Sequence, residues 1–184
     1  MTGLSASQDD TGRLFDELLV MHVQSGDQRA GERLAARWQP RLVRTAMRLL
    51  QDEEMALIAV QESWVSITRG IDSLRDPARF APWAFGILRR RCADRIRALQ
   101  KRRQNESSVE SEPVEPDSND EKLQIRQAFD ALPHDQRLAA QLFFVEGLTL
   151  AEIAEAQDVP TGTAKSRLFH ARRKLKAALS GETP

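Results

Sequence analysis

Residues 148–179 constrain this chain more than any other stretch. Residues 160–179 (PTGTAKSRLFHARRKLKAAL) carry six positive charges, Lys165, Arg167, Arg172, Arg173, Lys174 and Lys176, and no negative one. Ala164, Leu168, Ala171, Leu175 and Leu179 recur there at helical spacing, which predicts a helix with one buried stripe and a basic outer surface. Residues 148–157 (LTLAEIAEAQ) predict a shorter helix with Leu150, Ile153 and Ala154 on its apolar face. Thr149 is placed to cap that helix, and Glu152 three residues on completes a capping box. Asp158, Val159 and Pro160 make the turn, because Asp tolerates the left-handed conformation and proline disfavours a helical conformation at Val159. Thr161 or Thr163 can cap the second helix. Two helices joined by a short turn, the second basic outside, form a helix-turn-helix that sets a recognition helix in a DNA major groove.

The plain reading is that a basic helix is a solvated face, and most amphipathic helix pairs bind no DNA. Against it stand Gly162, Thr163, Ala164 and Ser166, small residues at the helix start, where bulk would hold the backbone away from a groove. A nucleotide-binding loop fits less well, since Lys165-Ser166 lacks the glycine directly before the lysine.

Charge is segregated along the chain. Its net charge is zero, but residues 1–62 carry seven basic and ten acidic side chains, residues 89–103 eight basic and one acidic, and residues 104–121 no basic and seven acidic. Such blocks point to polyanion contact at two separate places. At 184 residues, 41% apolar and 29% charged, the chain can bury a core in one domain or two small ones. Cys92 is alone, which excludes a disulfide framework and fits a reducing cytoplasm. No export signal or membrane-length apolar run is evident. His22, His134 and His170 lack paired metal spacing, and no nucleophile motif or phosphate loop is present, so neither catalysis nor a cofactor is expected.

In chain order, residues 1–11 are polar and expected to fray. Leu14, Phe15, Leu18, Leu19, His22 and Val23 predict a helix ending at Gly26, and Asp27 can cap the next, which carries Ala30, Leu34, Ala35 and Trp38. Pro40 is expected to break or restart that helix. A third helix is expected over residues 52–69, a loop over 70–79, and a long helix over 80–103. The last has Phe80, Trp83, Ala84, Ile87, Leu88 and Ile96 on its apolar side and arginines crowding its second half. The helix dipole accounts for cations in the final turn but not for those two to four turns earlier. Aromatics beside a basic face suit a single-strand platform, and at helical spacing they equally suit a core. The acidic segment cannot bury enough apolar surface to offset its ordering entropy, so residues 104–121 are expected to be a disordered linker. Leu123, Ile125, Phe129 and Leu132 predict one more helix ending before Pro133, and residues 138–145 another. The fold expected is therefore all-α, with two small helical domains, residues 1–103 and 122–184, the second ending in the helix-turn-helix.

This order resembles the extracytoplasmic-function (ECF) type of RNA polymerase sigma factor over nearly the whole chain. Residues 129–175 (FDALPHDQRLAAQLFFVEGLTLAEIAEAQDVPTGTAKSRLFHARRKL) are similar to that family's fourth region, VQESW at 60–64 to its polymerase-docking helix, and RFAPWAFGILRRRCADRIR at 79–97 to its promoter-melting segment. The resemblance implies a sigma subunit, not an enzyme, that binds core RNA polymerase and promoter DNA. It implies base or phosphate contact with a −35 element by Thr163, Lys165, Ser166, Arg167, Phe169, His170 and Arg173. It likewise places the −10 element and its melted strand on Phe80, Trp83, Arg89, Arg90, Asp94 and Arg97. Polymerase docking falls to Glu54, Ile58, Gln61, Glu62 and Trp64, and control by an anti-sigma factor belongs to the same picture. The family usually has two acids just before VQE, where this chain reads MALI. Ser63 beside Glu62 is then a candidate for phosphorylation by a protein kinase, restoring charge to the docking face; the plainer alternative is an unmodified serine with Glu54 and Glu62 sufficing. From other classes, a dimeric helix-turn-helix repressor would bind a palindrome without polymerase, and a helical adaptor would bind no DNA.

Overall fold

The computed structural model describes residues 3–105 and 121–180. Four helices make the N-terminal half: α1 (Gly3–Gln24), α2 (Gln28–Leu50), α3 (Glu53–Gly70) and α4 (Phe80–Asn105). The C-terminal half holds α5 (Glu121–Asp130), α6 (His134–Ala140), which runs on as a π-helical turn over Gln141–Val145, α7 (Leu150–Gln157) and α8 (Thr161–Ser180). The described residues contain no strand, as the helical periodicity throughout the chain requires.

Capping chemistry sets several helix boundaries. Asp27 accepts from the Arg29 and Ala30 amides to start α2, and Asp52 accepts from the Met55 amide to start α3. Gln51, at φ 56, closes α2 in the left-handed region. Contrary to expectation, α2 runs through Pro40 without a break. The proline lies on the exposed side, where a released carbonyl meets water, while Trp38 and Leu42 on either side are fully buried and hold the helix in register. Helix α1 begins at Gly3, ahead of the frayed start the polar residues suggested. The expected loop at 70–79 contains two 3-10 turns, Ile71–Ser73 and Pro77–Arg79. Most of the predicted linker, residues 106–120, lies outside the described residues.

Trp38 is the hub of the N-terminal half. Fully buried, it meets Phe80 edge-on at 4.9 Å and Phe85 at 5.5 Å, while Leu34, Leu42 and Ala46 line its own helix and Val60, Ile67 and Leu88 come from α3 and α4. Burial pushes the Cys92 thiol up to about 12, so this cysteine is a neutral packing residue. The C-terminal half has a small core of its own, Ala128, Phe129, Leu132, Ala140, Ala171 and Leu175. Other buried apolar residues of this half, including Leu138, Leu142, Leu148, Ile153 and Ala156, belong to the same cluster as Trp38. The two halves are thus packed together in one closed arrangement, with α7 laid on α4: a Cβ added to Gly86 would sit 3.5 Å from the Ala156 carbonyl oxygen.

Candidate nucleic-acid interface

The helix-turn-helix is built locally. The Thr149 hydroxyl accepts from the Glu152 amide and the Glu152 carboxylate accepts from the Thr149 amide at 2.7 Å, the reciprocal capping box. Asp158, at φ 54, turns the chain in the left-handed region. Helix α8 starts at Thr161 on the Pro160 carbonyl, which accepts from the amides of Thr163 and Ala164, so the hydroxyl caps proposed for Thr161 and Thr163 are not used. Ala164, Leu168, Ala171 and Leu175 face inward. Lys165, Ser166, Phe169, His170 and Arg173 are exposed on the other side, and Thr163 is half-buried at its edge. Phe169 is 62% exposed, with its ring edge-on to His170 at 5.6 Å.

Arg167 differs from its neighbours. It donates to Gln157 Oε1 at 2.7 Å and Asp135 Oδ2 at 2.6 Å, tying α8 to α7 and α6. The residue lies three after Ala164 and four before Ala171, on the edge of the buried stripe, and that spacing was the available sign of an inward role. It is a bracing residue in this structure rather than part of the outward face.

On α4 the expected platform divides. Phe80 is buried against Trp38, so it is core and not a base-stacking surface. A stacked base contributes roughly 1–3 kcal/mol, whereas emptying a buried phenylalanine site costs about 3–5 kcal/mol, so the ring stays inside. Trp83 is half-buried, 5.9 Å from Phe80, with its indole against Gly70, where a Cβ would lie 3.1 Å away. Arg90 and Arg97 face solvent, and Asp94 accepts from Arg97 at 3.0 Å. Arg91 and Arg95 turn toward α3, donating to Ser66 Oγ at 2.8 Å and to Glu62 Oε2 at 3.2 Å. Arg89 donates to the Ala156 carbonyl at 3.2 Å, so α7 covers it.

The outer face of α3 carries Glu54 and Gln61, exposed, with Ile58 half-buried and Leu57 and Val65 at 46% and 44% exposure. Trp64 donates from its indole to Gln39 Oε1 at 2.5 Å. Ser63 does not lie on this face: it is fully buried and donates to the Ala59 carbonyl at 2.7 Å. It belongs to the inward stripe Ala56, Ala59, Val60 and Ile67, and in this conformation no kinase can reach its hydroxyl.

One charged feature escaped the sequence reading. Arg33, Arg37, Arg41, Arg44 and Arg48 follow one another along α2 at intervals of four, four, three and four residues, a single stripe in a helix. Arg37 pairs with Asp16. Arg41 stacks on the Trp38 ring at 4.0 Å and donates to Glu146 Oε2 at 2.9 Å, and Arg44 donates to Glu146 Oε1 at 2.8 Å. Arg48 meets Asp130 at 3.3 Å. Glu146, only 6% exposed, also faces Thr45 and Gln141 and is a buried carboxylate held by two guanidinium groups from the other half. Around it, Arg13 bridges to Glu152 at 2.9 Å and to the Gly147 carbonyl at 2.7 Å, and Arg79 pairs with Glu155. In all these ion pairs across the closed interface the N-terminal half supplies arginine and the C-terminal half supplies carboxylate. Among the described residues there is no acid, histidine or cysteine cluster suited to a metal ion, and no helix is long and apolar enough to cross a membrane.

Comparison with known proteins accounts for both halves. Residues 34–103 match the family described as Sigma-70 region 2, and residues 122–175 match Sigma-70, region 4. The chain is 33% identical over 179 residues to the ECF RNA polymerase sigma-E factor of Salmonella typhimurium, a match covering 89% of this chain and 93% of that one. It is 29% identical over 181 residues to the RNA polymerase sigma-H factor of Pseudomonas aeruginosa, with 89% and 93% covered. Among solved structures, the sigma factor RpoE in complex with the anti-sigma factor NepR from Bartonella quintana shares the fold, with a TM-score of 0.70 at 24% identity over 83% of this chain and 98% of that chain. Two sigma regions in order, joined by an acidic segment, and a relative 33% identical over 89% of the chain mean that the chain belongs to the ECF family of RNA polymerase sigma factors.

Proposed function

We propose that this chain binds core RNA polymerase and directs promoter-specific transcription initiation, reading a −35 element with α8 and a −10 element with α4 and the turns before it. The observation that carries the reading is the outer face of α8. Its apolar stripe is spent on packing while Lys165, Ser166, Phe169, His170 and Arg173 project together from a helix-turn-helix. Lys suits guanine edges, serine and histidine offer hydrogen bonds, and an exposed phenylalanine suits a thymine methyl group. On α4, Trp83, Arg90, Asp94 and Arg97 form the accessible part of the −10 surface, and Arg89 joins them once α7 moves away. Polymerase docks on the α3 face of Glu54, Leu57, Ile58, Gln61 and Val65, with Glu62 and Trp64 at its margin. An anti-sigma factor is the matching class of regulator, as for the Bartonella protein seen bound to one. The reading calls for no cofactor and places the chain in the cytoplasm with the polymerase.

The test is run-off transcription with core polymerase on a genomic library, alongside direct binding of the chain to core. Discrete transcripts that depend on the chain are expected. Failure both to bind core and to stimulate any native promoter would overturn the reading.

A further inference from the structure

We propose that the arginine stripe of α2 is a second binding site for a nucleic-acid phosphodiester backbone, and that carboxylates of the C-terminal half occupy it in the closed molecule. The inference rests on the reading of the chain as a promoter-binding subunit, and it concerns residues outside both promoter-reading surfaces.

Geometry gives the first argument. From Arg33 to Arg48 a straight helix rises about 22 Å, long enough to run beside several successive phosphates of one strand. The present occupants give the second argument. Glu146 lies across Arg41 and Arg44, and Asp130 lies against Arg48, so oxyanions already sit where phosphate oxygens would. Only Asp16 among these acids belongs to the N-terminal half. When the halves separate, Arg44 and Arg48 lose these carboxylates and Arg41 keeps only Asp16 at 3.7 Å. A row of cations facing a single acid then awaits a polyanion. Arg33 supplies a third argument, because it extends the stripe beyond the interface as an exposed side chain that a purely adhesive role does not require. Access exists even in the closed form: a cleft of about 550 Å³ between the halves is lined by Arg13, Arg37, Arg41 and Arg44 and opens beside Glu146. A strand entering there competes with Glu146 for the same guanidinium groups, so nucleic-acid binding on α2 and closure of the molecule exclude each other.

The experiment measures binding of the full-length chain to a fluorescent single-stranded oligonucleotide of random sequence over a salt series. The proteins are wild type, Glu146→Ala, and Glu146→Ala carrying Arg44→Gln and Arg48→Gln. If closure holds nine-tenths of the molecules, releasing it tightens binding about tenfold. Removing the two arginines from the opened protein then lowers the slope of log K against log salt by about 1.4 in magnitude, roughly 0.7 per lost contact. Should Glu146→Ala fail to fold, Asp130→Arg with Glu155→Arg sets like charges against Arg48 and Arg79 at the rim and serves as the opened form. Equal binding with and without Arg44 and Arg48 in the opened protein overturns the site, leaving those residues a mere latch. An opened protein that binds no tighter than wild type also overturns it. Run-off transcription tests the sigma reading separately, so a chain that supports transcription but shows no arginine-dependent slope sinks only this inference.

Discussion

Lys165 and Arg167 stand two apart on one helix, yet they have opposite fates. Lys165 is exposed, whereas Arg167 is fixed by Gln157 and Asp135. Alanine at Lys165 should therefore weaken binding to a −35 duplex by about 1–3 kcal/mol if the lysine meets a base, while unfolding free energy stays within about 0.5 kcal/mol of wild type. Arg167→Ala should do the reverse first, lowering stability by roughly 1.5–3 kcal/mol through the loss of charged hydrogen bonds. Denaturant titration beside duplex binding checks both, and an Arg167→Ala protein of full stability with weakened binding would return that residue to the DNA face. Ser63 gives a second contrast. Ser63→Glu places an unpaired charge in the core and should cost at least about 3 kcal/mol, against about 1 kcal/mol or less for Ser63→Ala. A Ser63→Glu protein as stable as wild type would mean that the side chain reaches solvent and that a charge switch there is open again. Arg167, at the edge of a buried stripe, and Ser63, within one, are hard to place from sequence for one reason: on a helix a shift of one position in 3.6 decides between core and surface.

Elements were easier to read than margins. The turn at Asp158, the caps at Asp27 and Thr149 and the apolar stripe of α8 are local patterns, complete within a few residues, and the structure follows them. Pro40 was misread because the cost of proline in a helix is also local, while what overrules it, Trp38 and Leu42 in the core, is not. Glu152 joins the local and distant scales, since it closes the capping box of α7 and receives Arg13 from α1. Burial by itself would raise its pKa, but the Thr149 hydrogen bonds and the Arg13 charge outweigh that and hold it below the ordinary value of 4.5. A carboxylate depressed in the folded state contributes stability above its unfolded pKa and loses it as pH falls through the folded value. Wild type should thus lose stability on acidification from about pH 4.5 downward, and Glu152→Gln should lose less over the same range while starting less stable at neutral pH. Identical acid profiles for the two proteins would show that Glu152 does not set the acid limb of stability.

The closed arrangement is the part that the sequence left hidden. Each half announces itself by periodicity and by its resemblance to a sigma region, but their contact depends on residues about a hundred positions apart, such as Arg41 and Glu146, that no window of sequence joins. The five-arginine spacing on α2 was visible in principle, yet only Glu146 and Asp130 give it meaning. On the proposed reading, closure bears on initiation. Arg89 spends its Nε–H on the Ala156 carbonyl, and α7 lies over the Gly86 side of α4, so in the closed form α7 covers part of the α4 surface proposed for the −10 element. If α4 holds the −10 element as proposed, opening is expected to precede its full engagement. A Cβ on Gly86 would lie 3.7 Å from the Ala156 Cα, which brings the two Cα atoms within the span of a disulfide. The double variant Gly86→Cys with Ala156→Cys should accordingly cross-link under mild oxidation, visible as a shifted band on a non-reducing gel. If the closed fraction is driven from nine-tenths to nearly all, run-off transcription should drop by about tenfold or more, and reductant should restore it in the same sample. The reduced protein serves as its own control for any effect of the two substitutions. Undiminished transcription by the fully cross-linked protein would show that α4 works with α7 still in place, and the requirement for opening would fall.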